Sequence, residues 1–478
     1  MGTPSALMTD AASGPTPFPR RALVAGGAGI ALLVVTWFSP LPVPVPAKHA
    51  LAVTTLLIVF WIFEVAPHAI TGMLGCWLFW ALKVASPRTA FAGFSNDAPW
   101  FLLGALFLGA MATESGLARR LAFTLLSRLG TSYSRLLLAF ILTSFVMTFM
   151  IPAGPPRVIL LGTIALGAAA GFGLDRRGNV AKGLILAITF TATLFDKSII
   201  GSTPAILARN LIVEFGKVPV YWSQWFLAFL PLDLFNILAA WWLIRRLYPA
   251  EKAELAGRPA YLREQLALLG PWSTAEKKAA VWIVVAVGLW STDFVHHINP
   301  SLVGLGVGLA AALPGVGVLT QEQLGRVRFL IILFMGSTIS MTEVLRETGA
   351  LDALAGALFG VLAPHIHNVM TSTLLLYWSA FAAHLVLASE TSMIAASMPL
   401  VMRFALENHL SPLALGLVWS FATGGKLFIY QSLVLIAGHS FGVFDSRDVL
   451  RVGAFFLLVQ SFVILLLAPL YWPLIGIN

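Results

Sequence analysis

The chain has 478 residues, 58% of them hydrophobic and 11% charged, with a formal net charge of +9. A soluble domain carries roughly 25% charged residues, so the composition excludes an ordinary globular protein and points to an all-α polytopic membrane protein. The positive balance does not indicate a nucleic-acid partner, because the basic residues collect in loops between apolar stretches.

Taken in chain order, residues 1–21 are rich in Pro, Ser, Thr and Ala and are expected to form a disordered cytoplasmic N-terminus. They lack the charged, then apolar, then small-residue order of a removable signal peptide. Arg20 and Arg21 precede the first apolar stretch, which places the N-terminus in the cytoplasm by the positive-inside rule. Apolar stretches then follow near 22–39, 50–66, 69–84, 98–112, 133–151, 157–173, 182–200 and 222–244. After a basic loop they resume near 279–296, 301–314, 327–341, 349–363, 370–387, 390–406, 411–430 and 452–476. A helical span needs about 20 residues, and several stretches are too short or too polar to cross alone. The expectation is about 11 transmembrane helices plus two re-entrant hairpins. Cys76 is the single cysteine, which rules out an intramolecular disulfide, and it reads as packing.

The loop 246–278 divides the chain into an N-terminal half, 22–245, and a C-terminal half, 279–478. With Lys252, Arg258, Arg263, Lys277 and Lys278, and with Arg245 and Arg246 just before it, this linker is expected in the cytoplasm. The halves echo each other. Trp100 to Arg120 runs apolar into Glu114 and Gly116-Leu117, and Phe329 to Leu351 runs apolar into Glu343 and Gly349-Ala350-Leu351. Each half then carries two polar breaks inside apolar sequence. In the first they are Pro152-Ala153-Gly154-Pro155-Pro156-Arg157 and Asp196-Lys197-Ser198 through Gly201-Ser202-Thr203-Pro204. In the second they are Ser389-Glu390-Thr391 and Thr423-Gly424-Gly425-Lys426 through Tyr430-Gln431-Ser432. Non-helical backbone at membrane depth is tolerated where it lines a cavity, and paired interruptions in corresponding positions point to a transporter's binding site. Two inverted repeats with broken helices are therefore expected. Glu390 stands out, because a carboxylate at bilayer depth costs at least a few kcal/mol unless it faces a partner or a cavity.

On these residues the chain resembles the divalent anion:sodium symporter family, within the ion transporter superfamily of arsenite pumps and sodium/proton antiporters. Further landmarks are Trp61-Ile62-Phe63-Glu64 with Pro67, Ala90-Phe91-Ala92-Gly93-Phe94 with Trp100, Gly116-Leu117-Ala118-Arg119-Arg120, Leu269-Gly270-Pro271-Trp272-Ser273 leading to Glu276-Lys277, and Leu313-Pro314 before Leu319-Thr320. The resemblance implies alternating access, a homodimer, and two Ser-Asn-Thr motifs at hairpin tips that bind substrate carboxylates and flank sodium ions. Here Ser389-Glu390-Thr391 stands at the second motif, with Asn exchanged for Glu. Ala153-Gly154-Pro155 stands at the first, with all three polar side chains gone, before Arg157.

An anion site at membrane depth needs helix N-termini, hydroxyls and fixed positive charge. Ser202, Thr203, Ser389, Thr391 and Ser432 supply hydroxyls, and Arg157, Lys197 and Lys426 supply charge. Asp196-Lys197 reads either as an internal salt bridge or as part of the site, and Arg157 either as an anion ligand or as a snorkelling side chain. Lys426 has no acidic neighbour in sequence and is expected to face the centre. His384 reads mainly as a satisfied buried histidine. His296-His297 and His365 with His367 carry no metal-site pattern, and Asp293, Glu343 and Glu64 read as scaffold carboxylates. Lys197 and Lys426 would do the electrostatic work of two bound cations, so no cofactor is expected. A sodium ion would find only degenerate sites near Ser389, Thr391 and Gly424.

The reading is a secondary active transporter of small anions, di- or tricarboxylate or sulfate-like, working by alternating access as a sodium-independent carrier or an exchanger. The alternative is a proton-linked cation antiporter or arsenite-type pump of the same superfamily. No catalytic constellation is visible, so no enzyme is expected. The expected partners are a small anionic solute and membrane lipid, and the expected location is a bacterial inner membrane.

Overall fold

The computed structural model describes residues 20–128, 132–250, 260–354, 369–386, 390–422 and 425–477. Among them the regular structure is helical throughout, without a strand. The expected disorder of the N-terminus, most of the stretch near 349–363, His365, His367, Ser389, Thr423 and Gly424 lie outside the described residues.

Among the described residues, four helices are long and apolar enough to cross a bilayer alone: Val45–Ile62, Gly154–Gly171, Trp222–Leu247 and the stretch Ser446–Ile475. At 1.5 Å per residue an 18-residue helix reaches about 27 Å, close to the hydrocarbon thickness. Most of the others are shorter, and the reason lies in the sequence. The stretch read as 182–200 is the helix Asn179–Phe195, which stops at Asp196, and the stretch read as 411–430 is Pro412–Ala422. Both are the first parts of interrupted helices.

Besides the short helices Pro87–Ala90, Ala92–Ser95 and Gln321–Gly325, four described helices lay outside the expected apolar stretches: Leu117–Arg128, Thr203–Gly216, Ala260–Leu268 and Leu433–His439. The first alternates apolar residues with Arg119 and Arg120, and Thr203–Gly216 buries Arg209 and Asn210. Uniform apolarity therefore misses them; a helical period would have found the first. Asp97–Glu114 and Leu117–Arg128 meet at a bend of 63°. Gly116 sits at that bend with φ +84°, and Gly349 follows Leu330–Glu347 with φ +74°, so the two echoing glycines adopt the same left-handed turn.

The packing is reciprocal between the halves. Asp97–Glu114 lies against Pro300–Ala312, and His68–Ala81 lies against Leu330–Glu347. Likewise Thr203–Gly216 packs on Glu390–Glu407, while Gly154–Gly171 packs on Leu433–His439. In each case an element of residues 22–245 meets an element of residues 279–478.

Two of the sequence landmarks bind each other. Buried Arg120 pairs through Nε with Glu276 Oε1 at 2.7 Å and donates to the carbonyls of Gly270, Leu269 and Pro271 at 2.9, 3.1 and 3.2 Å. Glu276 also closes the capping box with Ser273 at the start of Thr274–Ser291. Burial is the largest single influence and pushes the Glu276 carboxyl up, but the hydrogen bonds and charge of Arg120 together with the Ser273 hydrogen bonds outweigh it and hold the group below the usual carboxylate range. Asp293, read as a scaffold carboxylate, accepts from the backbone N–H of Trp222 at 2.6 Å and so caps Trp222–Leu247.

Candidate functional site

The two breaks are built alike. Asn179–Phe195 ends, Asp196 to Gly201 turns, and Thr203–Gly216 restarts. Ser202 manages the restart: its hydroxyl donates to the Asp196 carbonyl at 2.5 Å and accepts from the Ala205 N–H at 3.4 Å. In the second half Ser432 accepts from the Val434 N–H at 3.1 Å and caps Leu433–His439. Gln431 Oε1 accepts from the Leu427 and Phe428 amides at 2.7 and 2.8 Å, which satisfies backbone donors left over where the helix is broken. Gly453 lets that loop pass, since a Cβ there would stand 1.9 Å from the Lys426 carbonyl oxygen.

Lysines at these breaks converge on one carboxylate. Lys197 Nζ lies 2.8 Å from Glu390 Oε1, and Lys426 Nζ lies 2.9 Å from Glu390 Oε2. Glu390 opens the helix Glu390–Glu407, whose N-terminal dipole also favours a negative group. Lys197 reaches further across the halves, donating to the Ser420 and Phe421 carbonyls at 2.5 and 3.3 Å. These lie in the last turn of Pro412–Ala422, so the ammonium sits on the negative end of the other half's broken helix. His384 Nε2 lies 2.7 Å from Lys426 Nζ. Lys197, Lys426 and His384 are buried, and the Glu390 side chain keeps 14% exposure.

Arg157 and Asp196 form a separate pair beside this cluster. Arg157 is fully buried; its Nη2 lies 2.5 Å from Asp196 Oδ1 and 3.1 Å from the Ala192 carbonyl. Its Nη1 donates to the Ser144 carbonyl at 3.4 Å and to the Thr148 hydroxyl. Arg157 is thus no snorkelling residue, and of the two readings of Asp196-Lys197 the internal salt bridge does not form, since the two side chains enter the pairs Arg157–Asp196 and Lys197–Glu390. Neighbours in sequence cannot share a salt bridge here because the turn sends their side chains to opposite halves.

Gly154 explains the lost polar motif in the first half. A Cβ at this position would stand 2.5 Å from Val434 Cγ2 and 2.7 Å from Asp196 Oδ2. The Asp196 carboxylate therefore occupies space that an asparagine side chain would need. Ala153 precedes the helix Gly154–Gly171 without a side-chain cap, and Pro155 sits in its first turn, where the missing N–H costs nothing. Thr203 and Thr391 are half-buried in the first turns of their helices. Ser389 and Gly424 fall outside the described residues, and so does any cation site between them. Among the described residues no three His, Cys, Asp or Glu side chains gather as metal ligands would.

Behind the charges lies a polar layer that uniform hydropathy conceals. Asp233 and Asn236 are buried on Trp222–Leu247, Asp233 beside buried Ser198 of the first break, and Gln460 Nε2 reaches Asn236 Oδ1 at 3.5 Å. On the same helix, Trp225 Nε1 donates to the Lys197 carbonyl at 2.7 Å.

Residues 22–478 match the family described as the sodium:sulfate symporter transmembrane region, and the chain belongs to that family. It is an integral, multi-pass membrane protein. It is 26% identical over 477 residues to a membrane protein of Cupriavidus necator, covering 94% of this chain and 92% of the relative. It is 24% identical over 483 residues to the citrate/succinate antiporter of Escherichia coli K12, covering 94% and 97%. It is 23% identical over 495 residues to the L-tartrate/succinate antiporter of Shigella flexneri, covering 93% and 97%.

Proposed function

We propose that this member of the family is a sodium-independent exchanger of small di- or tricarboxylate anions, with Lys197 and Lys426 as fixed cations in place of bound sodium. The observation that carries this reading is the convergence of one lysine from each half on a single carboxylate, 2.8 and 2.9 Å away. A site that already grips a carboxylate with two ammonium groups has the chemistry to grip a substrate's. The antiporter names of two relatives point the same way.

Electrostatics explains why such a carrier exchanges. Arg157 and Asp196 cancel, while two lysines face one glutamate, so the cluster with His384 neutral holds one net positive charge. Moving an uncompensated charge through a low-dielectric barrier is costly. The carrier then crosses between its two states mainly with an anion aboard. A cation antiporter fits less well, because Asp196 and Glu390 each already face a basic side chain.

The halves 22–245 and 279–478 are read as inverted repeats joined by the cytoplasmic linker 246–278. Each supplies one hairpin and one broken helix to a moving unit, and the remaining helices form a dimeric scaffold. The chain would reside in a bacterial inner membrane with its N-terminus in the cytoplasm. The test is uptake of radiolabelled succinate, citrate and tartrate by proteoliposomes. Uptake should require an anion of the same class inside and should be equal in sodium and in choline. Uptake into empty vesicles that rises steeply with sodium would refute the proposal.

A further inference from the structure

Glu390 is a negative group placed where an incoming carboxylate would have to sit. Its two oxygens take up one ammonium each, from Lys197 and from Lys426, in the bridging geometry that a substrate carboxylate would adopt. Among the described residues, the charged and titratable groups facing it are these two lysines, His384 against Lys426, and beyond them the Arg157–Asp196 pair. At 2.8 and 2.9 Å, each ammonium is in direct contact with a Glu390 oxygen, so a substrate carboxylate that takes the same bridging position must replace it. Binding at the lysines and retention of Glu390 there exclude each other.

We propose that Glu390 is a built-in competitor of the substrate, and that a dianion binding at Lys197 and Lys426 displaces it and makes it take up one proton from solution. This deepens the exchanger reading above and rests on it. Once displaced, Glu390 would face the substrate's own carboxylates in a water-poor setting, where the neutral acid is the cheaper form. Charge counting agrees. With Glu390 ionised the cluster holds one positive charge, which a monoanion balances. With Glu390 protonated it holds two, which a dianion balances. Dicarboxylate exchange would then move one proton with each dianion, returned when the substrate leaves and Glu390 closes on the lysines again. A monocarboxylate would move none.

The test uses the purified full chain and L-tartrate, whose two carboxyls stay ionised above about pH 6. Calorimetric titrations in two buffers of different protonation enthalpy count the protons taken up. The expected wild-type result is about one proton per tartrate and an affinity that falls about tenfold for each pH unit of increase between about pH 6 and pH 8. Glu390→Gln removes the titrating competitor; its tartrate affinity should be flat with pH and should exceed that of wild type at the alkaline end. Glu390→Asp keeps a carboxyl and should keep the proton. A wild type that binds tartrate with no proton uptake overturns the inference, and so does a Glu390→Gln variant that still takes up one proton, which would shift the role to His384. If neither variant folds, His384→Gln decides: it should still take up about one proton per tartrate, and loss of that uptake would overturn the inference. A wild type that neither binds nor exchanges tartrate, succinate or citrate would instead refute the exchanger reading.

Discussion

The two broken helices share an outline and differ in how they treat charge. In the first half, Arg157 finds Asp196 within its own half, and the pair is closed among Ser144, Thr148 and Ala192. In the second half, Glu390 and Lys426 pair with each other, and Glu390 also reaches over to Lys197 of the first half. One pair holds a half together, while the other cluster joins the halves. A pair inside one rigid half can stay shut throughout a transport cycle. A cluster shared between halves is the one that can open and admit a ligand.

Variants that separate these two jobs test the comparison. Arg157→Ala should have the largest effect, and on stability: it leaves Asp196 buried without its guanidinium, at a cost of about 3–5 kcal/mol. Thermal unfolding in detergent measures it, and Arg157→Met combined with Asp196→Asn should recover part of the loss. If Arg157→Ala unfolds like wild type and loses only anion affinity, the self-contained pair belongs to the binding site after all.

Lys197→Ala and Lys426→Ala should act mainly on affinity. A charge-assisted hydrogen bond is worth about 1.5–3 kcal/mol, or roughly 10- to 100-fold in dissociation constant. Lys197 should sit at the upper end, since it also holds the Ser420 and Phe421 carbonyls, and Lys426 at the lower. Tartrate or succinate titrations would show the order, and the reverse order would contradict the cross-half role of Lys197. Gly154→Ala should destabilise by about 2 kcal/mol through overpacking against Val434 and Asp196. A neutral effect in thermal unfolding would mean that the hairpin tip does not pack closely on the other half.

The smallest effect lies away from both breaks. Glu276→Gln should cost about 1.5 kcal/mol at neutral pH, because Arg120 keeps its three carbonyl partners. The folded carboxyl titrates below the ordinary value of 4.5, so its contribution is fully present above that value and fades as pH falls through the folded one. Stability curves of variant and wild type should therefore converge in acid.

Much of the architecture was legible in the sequence because it is written in local signals. Four polar interruptions stood in matched order, and each falls at a described helix end or beside one. Glu390 was readable as a partnered group from the cost of a bare carboxylate in hydrocarbon. What could not be read was who pairs with whom. Asp196 and Lys197 are adjacent, and sequence offers their mutual bridge as the cheap answer, yet the turn between Phe195 and Ser202 sends them to different partners. His384 gave no sign of touching Lys426, because that contact depends on how a hairpin folds back on a loop some forty residues on. The helix Thr203–Gly216 escaped notice for a related reason. Its buried Asn210 contacts Asn96 at 2.5 Å and Asp97 at 3.3 Å, and Arg209 lies 3.5 Å from Asp97. A polar helix face looks like a loop until its distant partners are known.

The cross-half grip of Lys197 also bears on how the protein is made. Translation inserts the first half into the bilayer long before Glu390, Ser420 and Phe421 exist. Until they emerge, Lys197 lacks these three acceptors, and its ammonium must stay with water or lipid headgroups. The first half is therefore an obligate intermediate with an open polar seam, and final burial waits for the last quarter of the chain. Release of a nascent chain stalled before residue 390 should leave a product that is protease-sensitive near residues 196–204, even though every helix of that half has already been inserted.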